Sequence, residues 1–321
     1  MKLLLTGATG FVGCAALNIF LSKTHLVTVL VREGRAPFPD GVKKATADLN
    51  NLDQLDNAIL ANVDVIVHTA ARAHIMSDDT ATSLAAYRKV NRDATLILAR
   101  SAAIEGVKRF VFVSSVKVNG EMTRLGECFK PEVHQPPIDP YGLSKYEAEQ
   151  GLLQIAQETG MEVVIIRSPL VYGPGVKGNF FSMVNWIKKG VPLPLGSVRN
   201  QRSMVALDNL LNFIALCANR ERSPKAANEV FLISDGQDIS TSAMLRKVAN
   251  AYGVKSRLLP IPVSLMKFAA KFLGKGAVAD RLFGNLQVDS SKAHDLLGWQ
   301  PVVTMDEQLA KMAALDRKRS S

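Results

Sequence analysis

Gly7, Gly10 and Gly13 constrain this chain more than any other residues, because they follow the apolar run Lys2–Thr6 directly and open a segment of helical character. Glycines so placed mark a turn from a first strand into a first helix, where backbone N–H groups can approach an anion at the helix N-terminus. The spacing is GxxGxxG and not the commoner GxGxxG, so by itself it fits a close helix-on-sheet turn equally well. The strand before and the helix after supply the context that a dinucleotide loop requires.

Short β-branched runs at 2–6, 27–31, 63–68, 110–114, 163–167 and 229–233 alternate with amphipathic stretches at 81–105 and 141–159, and 43–48 is a further candidate strand. That alternation predicts an α/β fold of Rossmann type, a doubly wound parallel sheet. After Arg167 the texture changes: Ser168-Pro169, Gly173-Pro174-Gly175, Gly178-Asn179 and Pro192-Leu193-Pro194 interrupt short helices. We read a cofactor domain over 1–171, to which 206–235 returns, and a smaller interdigitated substrate lobe over 172–321.

With 47% apolar residues in 321, a large core is within reach. Thirty-nine basic against twenty-nine acidic residues leave a charge of +10, which suits a polyanionic partner. No basic block with interleaved aromatics appears, and the one dense run is Arg317 to Arg319. A small polyanion is therefore expected in preference to nucleic acid. Cys14, Cys128 and Cys217 are odd in number and form no CxxC, so the expectation is a reducing cytoplasm. His25, His68, His74, His134 and His294 show no HxxxH spacing, and no metal site is expected.

Two stretches invite a membrane reading. Leu3 to Leu21 is uncharged and contains Gly13-Cys14, faintly like a lipoprotein leader, but it reads better as strand, turn and helix. Residues 263–286 set Met266, Phe268, Phe272, Leu273 and Phe283 against Lys267, Lys271, Lys275 and Arg281. A helix packed on the core is the expectation there, with peripheral membrane contact as the alternative.

Roughly 20 residues past the last glycine, where an acid would bind the ribose hydroxyls of NAD(H), stands Val31. Arg32 and Arg35 follow, and guanidinium groups suit a 2′-phosphate, so NADP(H) is favoured over NAD(H). Further on, Tyr141-Gly142-Leu143-Ser144-Lys145 puts a phenol and an ammonium on one helix face just after Pro140. A phenol with a pKa near ~10 holds its proton at neutral pH. A nearby ammonium and a nicotinamide cation would both favour the phenolate, making Tyr141 a general acid and base. Ser115, leaving its strand at the carboxyl end, could hydrogen-bond the same substrate oxygen, and Lys117 would project near it to steer substrate.

These motifs, in this order, resemble the extended short-chain dehydrogenase/reductases, in particular the nucleotide-sugar branch that includes UDP-glucose 4-epimerase, over nearly the whole chain. The resemblance implies a catalytic set of Ser115, Tyr141 and Lys145, with Lys145 also on the nicotinamide ribose. It implies cofactor binding by Gly7, Gly10, Gly13, Asp48, Ala70, Ala71 and Asn91. Thr9, Phe11, Val12, Leu49, Ser114 and Pro169 belong to the same cofactor set. Asn179 and Arg202 match positions that meet a nucleotide-sugar diphosphate, while Arg281 matches a late arginine at altered spacing. Such enzymes often dimerise through the helix bearing the tyrosine, so a homodimer is expected.

Dehydratases of this kind carry Thr-Asp-Glu where this chain has Ser115-Val116-Lys117. A lysine cannot perform the glutamate's elimination chemistry, so dehydration is not expected. The favoured expectation is reduction of the C4 keto group of a UDP-4-keto-6-deoxy-(N-acetyl)hexosamine by NAD(P)H, for a surface polysaccharide. The alternative is a UDP-hexose or UDP-N-acetylhexosamine 4-epimerase. A third reading, a dinucleotide-sensing protein without catalysis, would need neither Tyr141 nor Lys145.

Overall fold

The structure, a computed structural model, describes residues 1–23, 25–33, 38–52, 56–73, 80–274 and 276–320. The chain opens with β1 (Lys2–Thr6), α1 (Phe11–Ser22), β2 (Leu26–Val31), β3 (Lys43–Thr46), β4 (Val65–His68), α2 (Thr80–Tyr87) and α3 (Ala94–Ile104). It continues through β5 (Arg109–Ser115), α4 (Pro140–Thr159), β6 (Glu162–Ser168), β7 (Leu170–Tyr172), α5 (Gly178–Lys188), β8 (Met204–Ala206), α6 (Leu207–Ala218) and β9 (Glu229–Leu232). Last come α7 (Thr241–Tyr252), α8 (Val263–Phe272), α9 (Gly276–Phe283), α10 (Ser291–Leu297) and α11 (Met305–Ser320).

Seven strands form one sheet in the order β3-β2-β1-β4-β5-β6-β9, every neighbouring pair parallel. This is the expected Rossmann-type sheet. Its central strands read as unbroken apolar runs because helices cover both faces. Alternate side chains serve each side. Leu3, Leu5, Val27 and Val29 join the core under α1 and α6. Leu4, Ile66, Phe110, Phe112 and Ile165 join the core under α3 and α4. The stretch from Leu3 to Leu21 forms β1 and most of α1, and Leu3, Leu4 and Leu5 lie buried at the sheet centre.

The strand order reverses between β1 and β4, and the crevice at the carboxyl ends beside that reversal is where open α/β sheets bind ligands. α4 delivers the Tyr-Lys pair to this edge. Its start is fixed by Asp139, whose side chain accepts the Gly142 N–H at 2.8 Å, and by Pro140 in the first turn. Gly160, left-handed at φ 74°, ends it.

The elements differ locally from the sequence reading. The single helix expected over 81–105 is interrupted at Arg88–Asp93 by a wider turn of π-helical type, which hydrophobic periodicity does not register. The candidate strand at 43–48 ends at Thr46, and the one at 63–68 begins at Val65. The parallel pair β7 and β8 escapes notice because each strand has three residues amid Pro and Gly.

The second lobe packs α5, α7 and α11 around Tyr172, Phe180, Val184, Leu245 and Leu309. Between its segments the chain returns to the sheet as α6 and β9, and Ala293 and Trp299 also join that first core. Asp235 fastens the crossing: it accepts from Tyr172 Oη at 2.7 Å, Ala206 N at 2.8 Å and Asn209 Nδ2 at 2.7 Å.

The packed helix expected over 263–286 is corrected at α8, none of whose residues is buried. On its inner side Val263 and Met266 pack half-buried against the lobe core, which Leu282 and Phe283 of α9 also reach. Among the described residues no helix is long and apolar enough to cross a membrane.

Candidate active site

The glycine loop is made by steric necessity. A Cβ on Gly13 would stand 2.1 Å from the Gly7 carbonyl oxygen, and one on Gly7, where φ is 74°, would stand 2.6 Å from Thr69 Oγ1. Side chains at either position would push the loop off the end of β4. Gly10 is the N-cap of α1 and no side chain caps that end. Thr9 and Gly10 are exposed, and Phe11 and Val12 begin the helix half-buried. A bare loop ahead of an uncapped helix N-terminus is what a dinucleotide pyrophosphate needs, so these residues fit NAD(P).

The loop after β4 is held by a buried polar chain. The Thr95 hydroxyl donates to the Asn91 carbonyl at 2.8 Å, so it accepts from His68 Nε2 at 3.1 Å. That leaves His68 Nδ1 to accept from Thr6 Oγ1 at 2.9 Å, and Thr6 Oγ1 in turn accepts the Ala70 N–H at 3.2 Å. The chain requires neutral His68, and burial lowers its pKa to about 3, with the Lys145 charge acting the same way. Asn91, inside the wide turn, accepts the Arg72 N–H at 2.8 Å and donates to the Arg72 carbonyl at 3.0 Å and Ser144 Oγ at 3.1 Å. Ala70 is thus buried and fixed, Ala71 exposed beside it, and the Asn91 side chain acts as the clamp. Sequence reasoning left His68 as a strand-end residue; only its two threonine partners reveal the role.

Ser115, Tyr141 and Lys145 converge at the carboxyl end of β5. Ser115 Oγ accepts the Lys117 N–H at 3.2 Å and hydrogen-bonds the Tyr141 phenol. Gly142 makes the approach possible, since a Cβ there would lie 2.5 Å from the Lys117 carbonyl oxygen. The Tyr87 ring meets that of Tyr141 edge-on at 5.7 Å. The fully buried Lys145 Nζ donates to the Val113 carbonyl at 3.1 Å and sits 4.2 Å over the Phe112 ring.

Without a bound dinucleotide the electrostatics of the pair oppose the phenolate. In the protein alone the Tyr141 phenol is pushed up to about 12 by burial, with the Asp139 and Tyr87 charges adding and the Ser115 hydrogen bond opposing. Burial brings Lys145 down to about 7, against the pull of Glu149. Desolvation of the phenol dominates, and burial also disfavours the charge on Lys145.

Behind this pair lies a buried network that the sequence reading missed. Glu149, one turn beyond Lys145, receives Arg167 Nη2 at 2.6 Å and the Ser114 hydroxyl at 2.5 Å. Arg167 Nη1 also donates to the Pro131 carbonyl at 2.7 Å and Asn119 Oδ1 at 3.1 Å, tying down the loop after β5. The Ser114 hydroxyl is therefore committed to Glu149. Pro169 is buried past the end of β6.

At the adenosine side, Arg32 is exposed at the end of β2, and Arg35, like His74 and Lys275, lies outside the described residues. Asp48 follows β3; its carboxylate accepts from Asn50 N at 3.0 Å and Asn50 Nδ2 at 2.8 Å, bonds that hold its pKa below the usual carboxylate range, with the Arg32 charge contributing. Leu49 packs half-buried against the core.

On the side expected to meet substrate, contacts run in a chain. Arg202 Nη1 donates to the carbonyls of Arg281 at 2.7 Å and Gly284 at 3.1 Å. Arg281 Nη1 stands 3.8 Å from Glu121, Glu121 is 3.1 Å from Lys117 Nζ, and Lys117 Nζ is 3.0 Å from Asp139 beside Tyr141. The ammonium of Lys117, expected to project near Ser115 and steer substrate, lies between two carboxylates. Asn179 stands exposed at the start of α5.

A parallel sheet with this loop and a Ser-Tyr-Lys set at its carboxyl edge defines an NAD(P)-dependent enzyme of the extended short-chain dehydrogenase/reductase type. More particularly, the chain belongs to the NAD dependent epimerase/dehydratase family, which residues 3–233 match. It is 45% identical over 314 residues to a UDP-glucose 4-epimerase of Vibrio cholerae, covering 97% of this chain and 94% of that one. Its fold is similar to a UDP-glucose 4-epimerase of Thermotoga maritima with UDP-glucose (TM-score 0.76, 22% identity, 100% of both chains). It is also similar to a UDP-glucuronic acid 4-epimerase of Bacillus cereus in complex with NAD (TM-score 0.78, 20% identity, 100% of both chains).

Proposed function

We propose that this protein is an NAD-dependent 4-epimerase of a UDP-linked hexose or N-acetylhexosamine. The observation that carries the reading is the 45% identity to a UDP-glucose 4-epimerase along 97% of the chain. NAD, when bound, supplies a hydride acceptor that returns the hydride to the opposite face of C4. Tyr141 takes the proton from the C4 hydroxyl as that carbon is oxidised and gives it back to the same oxygen on return. Ser115 holds this oxygen by a hydrogen bond. Lys145, kept between charged and neutral near pH 7, favours the phenolate whenever it carries its proton.

NAD replaces NADP(H) as the favoured cofactor, since the Bacillus cereus relative is in complex with NAD and a 4-epimerase regenerates its cofactor in each cycle. The 4-keto reductase expectation leaned on the NADP(H) reading of Val31, Arg32 and Arg35, of which Arg32 is an exposed side chain and Arg35 lies outside the described residues. The homodimer remains part of this reading, as does the cytoplasm, consistent with exposed free Cys14 and Cys128. The test incubates the purified protein with UDP-glucose and with UDP-N-acetylglucosamine, without added cofactor, and measures the C4 epimers and the released dinucleotide. Interconversion with co-purified NAD supports the proposal. Stoichiometric NADPH oxidation with a UDP-4-keto-6-deoxyhexosamine, and no interconversion, overturns it in favour of the reductase.

A further inference from the structure

The face that α8 turns outward is apolar and has no partner among the described residues. Leu265, Phe268 and Phe272 are 57%, 72% and 86% exposed, and Leu273 at the helix end is 70% exposed. At 3.6 residues per turn, Leu265, Phe268, Ala269 and Phe272 fall within an arc of about 100°. Lys267 and Lys271 border one side of that arc, and the half-buried Val263 and Met266 pack toward the lobe on the other. α8 contains no acid, and residues 263–286 hold four basic residues against one acid, Asp280. Asp280 pairs with Lys267 at 2.8 Å across the α8–α9 hairpin.

We propose that α8 docks this protein on an anionic lipid bilayer, lying in the interface with Leu265, Phe268, Phe272 and Leu273 in the acyl boundary and Lys271 among the headgroup phosphates. Charge decides the occupant. An apolar arc edged by lysines and free of acids complements a surface that is negative outside and hydrocarbon within. A second copy of the chain meeting the same face about a two-fold axis would set lysine against lysine with no acid on the helix to pair them. The helix is too short to span, so it lies on the membrane. The hairpin runs on to Arg281, whose carbonyl accepts from Arg202 at 2.7 Å, so docking holds the substrate side of the enzyme against the lipid. The inference stands whatever reaction the site performs.

The full-length protein is sedimented with vesicles of phosphatidylcholine alone and of phosphatidylcholine with phosphatidylglycerol, at low and high salt. Binding to the anionic vesicles at low salt is expected, and weak binding to the neutral ones. A Phe268→Glu/Phe272→Glu variant should lose about tenfold or more of the bound fraction. Lys271→Glu, which keeps both rings, should lose a smaller part. Because these side chains are exposed, circular dichroism and the thermal midpoint should match the parent. Absence of binding to anionic vesicles overturns the proposal, as does equal binding by the double variant. Conversion of a dimer to a monomer by the double variant, without lipid binding by the parent, overturns it and makes this face a subunit interface.

Discussion

At the cofactor edge Ser114, Lys145, Glu149, Arg167, His68 and Asn91 are all buried and joined through hydrogen bonds to the sheet or its loops, whereas on the substrate side Asn179 and Arg281 are exposed and Lys117 is half-exposed between two carboxylates. Burial makes the first region a single arrangement, because any polar atom that loses its partner there is left without water. The second region is bordered by ion pairs in solvent, each of small worth and easily exchanged for a ligand's oxygens. Under the proposed epimerase reading one dinucleotide recurs in every cycle, so its edge can be cast in the core. A sugar nucleotide would have to enter and leave, and residues that meet it would have to be able to let go.

Changes at the first edge should therefore damage catalysis or the fold, and changes at the second only substrate affinity. Tyr141→Phe should lower turnover by about 10³-fold, within the usual range for a general acid-base, while the protein still binds NAD. Retained turnover would remove Tyr141 from the proton path. Spectroscopic pH titration of wild type against this variant should find the phenol ionising near 12 without cofactor, and lower with NAD.

Glu149→Gln leaves Arg167 as an unpaired buried charge and should cost on the order of 3 kcal/mol in denaturant unfolding. Glu149 raises the Lys145 pKa. If the ammonium is the active form, the rate falls as pH rises through that pKa, and in the variant the fall should move to lower pH. An unshifted limb with normal stability would deny the network any hold on Lys145.

Asn91→Ala removes the clamp on Arg72 and should destabilise by about 2 kcal/mol, with weaker NAD binding. The same region sets an acid limit. His68 takes up a proton near 6.5 when unfolded but only near 3 when folded, so between those values the unfolded state binds more protons and stability falls as pH drops. Thermal midpoints measured down this range test it. The smallest effect is expected at Asn179→Ala, with stability within about 0.5 kcal/mol of the parent and a change confined to KM. A loss of stability there would break the contrast between the two regions.

How far the sequence carries can be read at single residues. Gly7 and Gly13 announce their place because only glycine tolerates the contacts they make, and the alternation of apolar runs yields the parallel sheet because burial on both faces leaves few polar positions. Tyr141 and Lys145 are legible through their i, i+4 spacing after Pro140. Glu149, four residues further along the same helix, looks like any surface glutamate until Arg167 and Ser114 are seen around it. The exposed face of α8 was misjudged because an amphipathic pattern states which residues would share a side and not whether anything covers that side. Local spacing and steric exclusion are properties of neighbours in the chain, so the loop, the sheet and the Tyr-Lys pair were determined by sequence alone. The neutral His68, the displaced pKa values, the pairing of Lys117 and the bare face of α8 were decided only by tertiary structure, because desolvation and partnership depend on residues far apart in sequence.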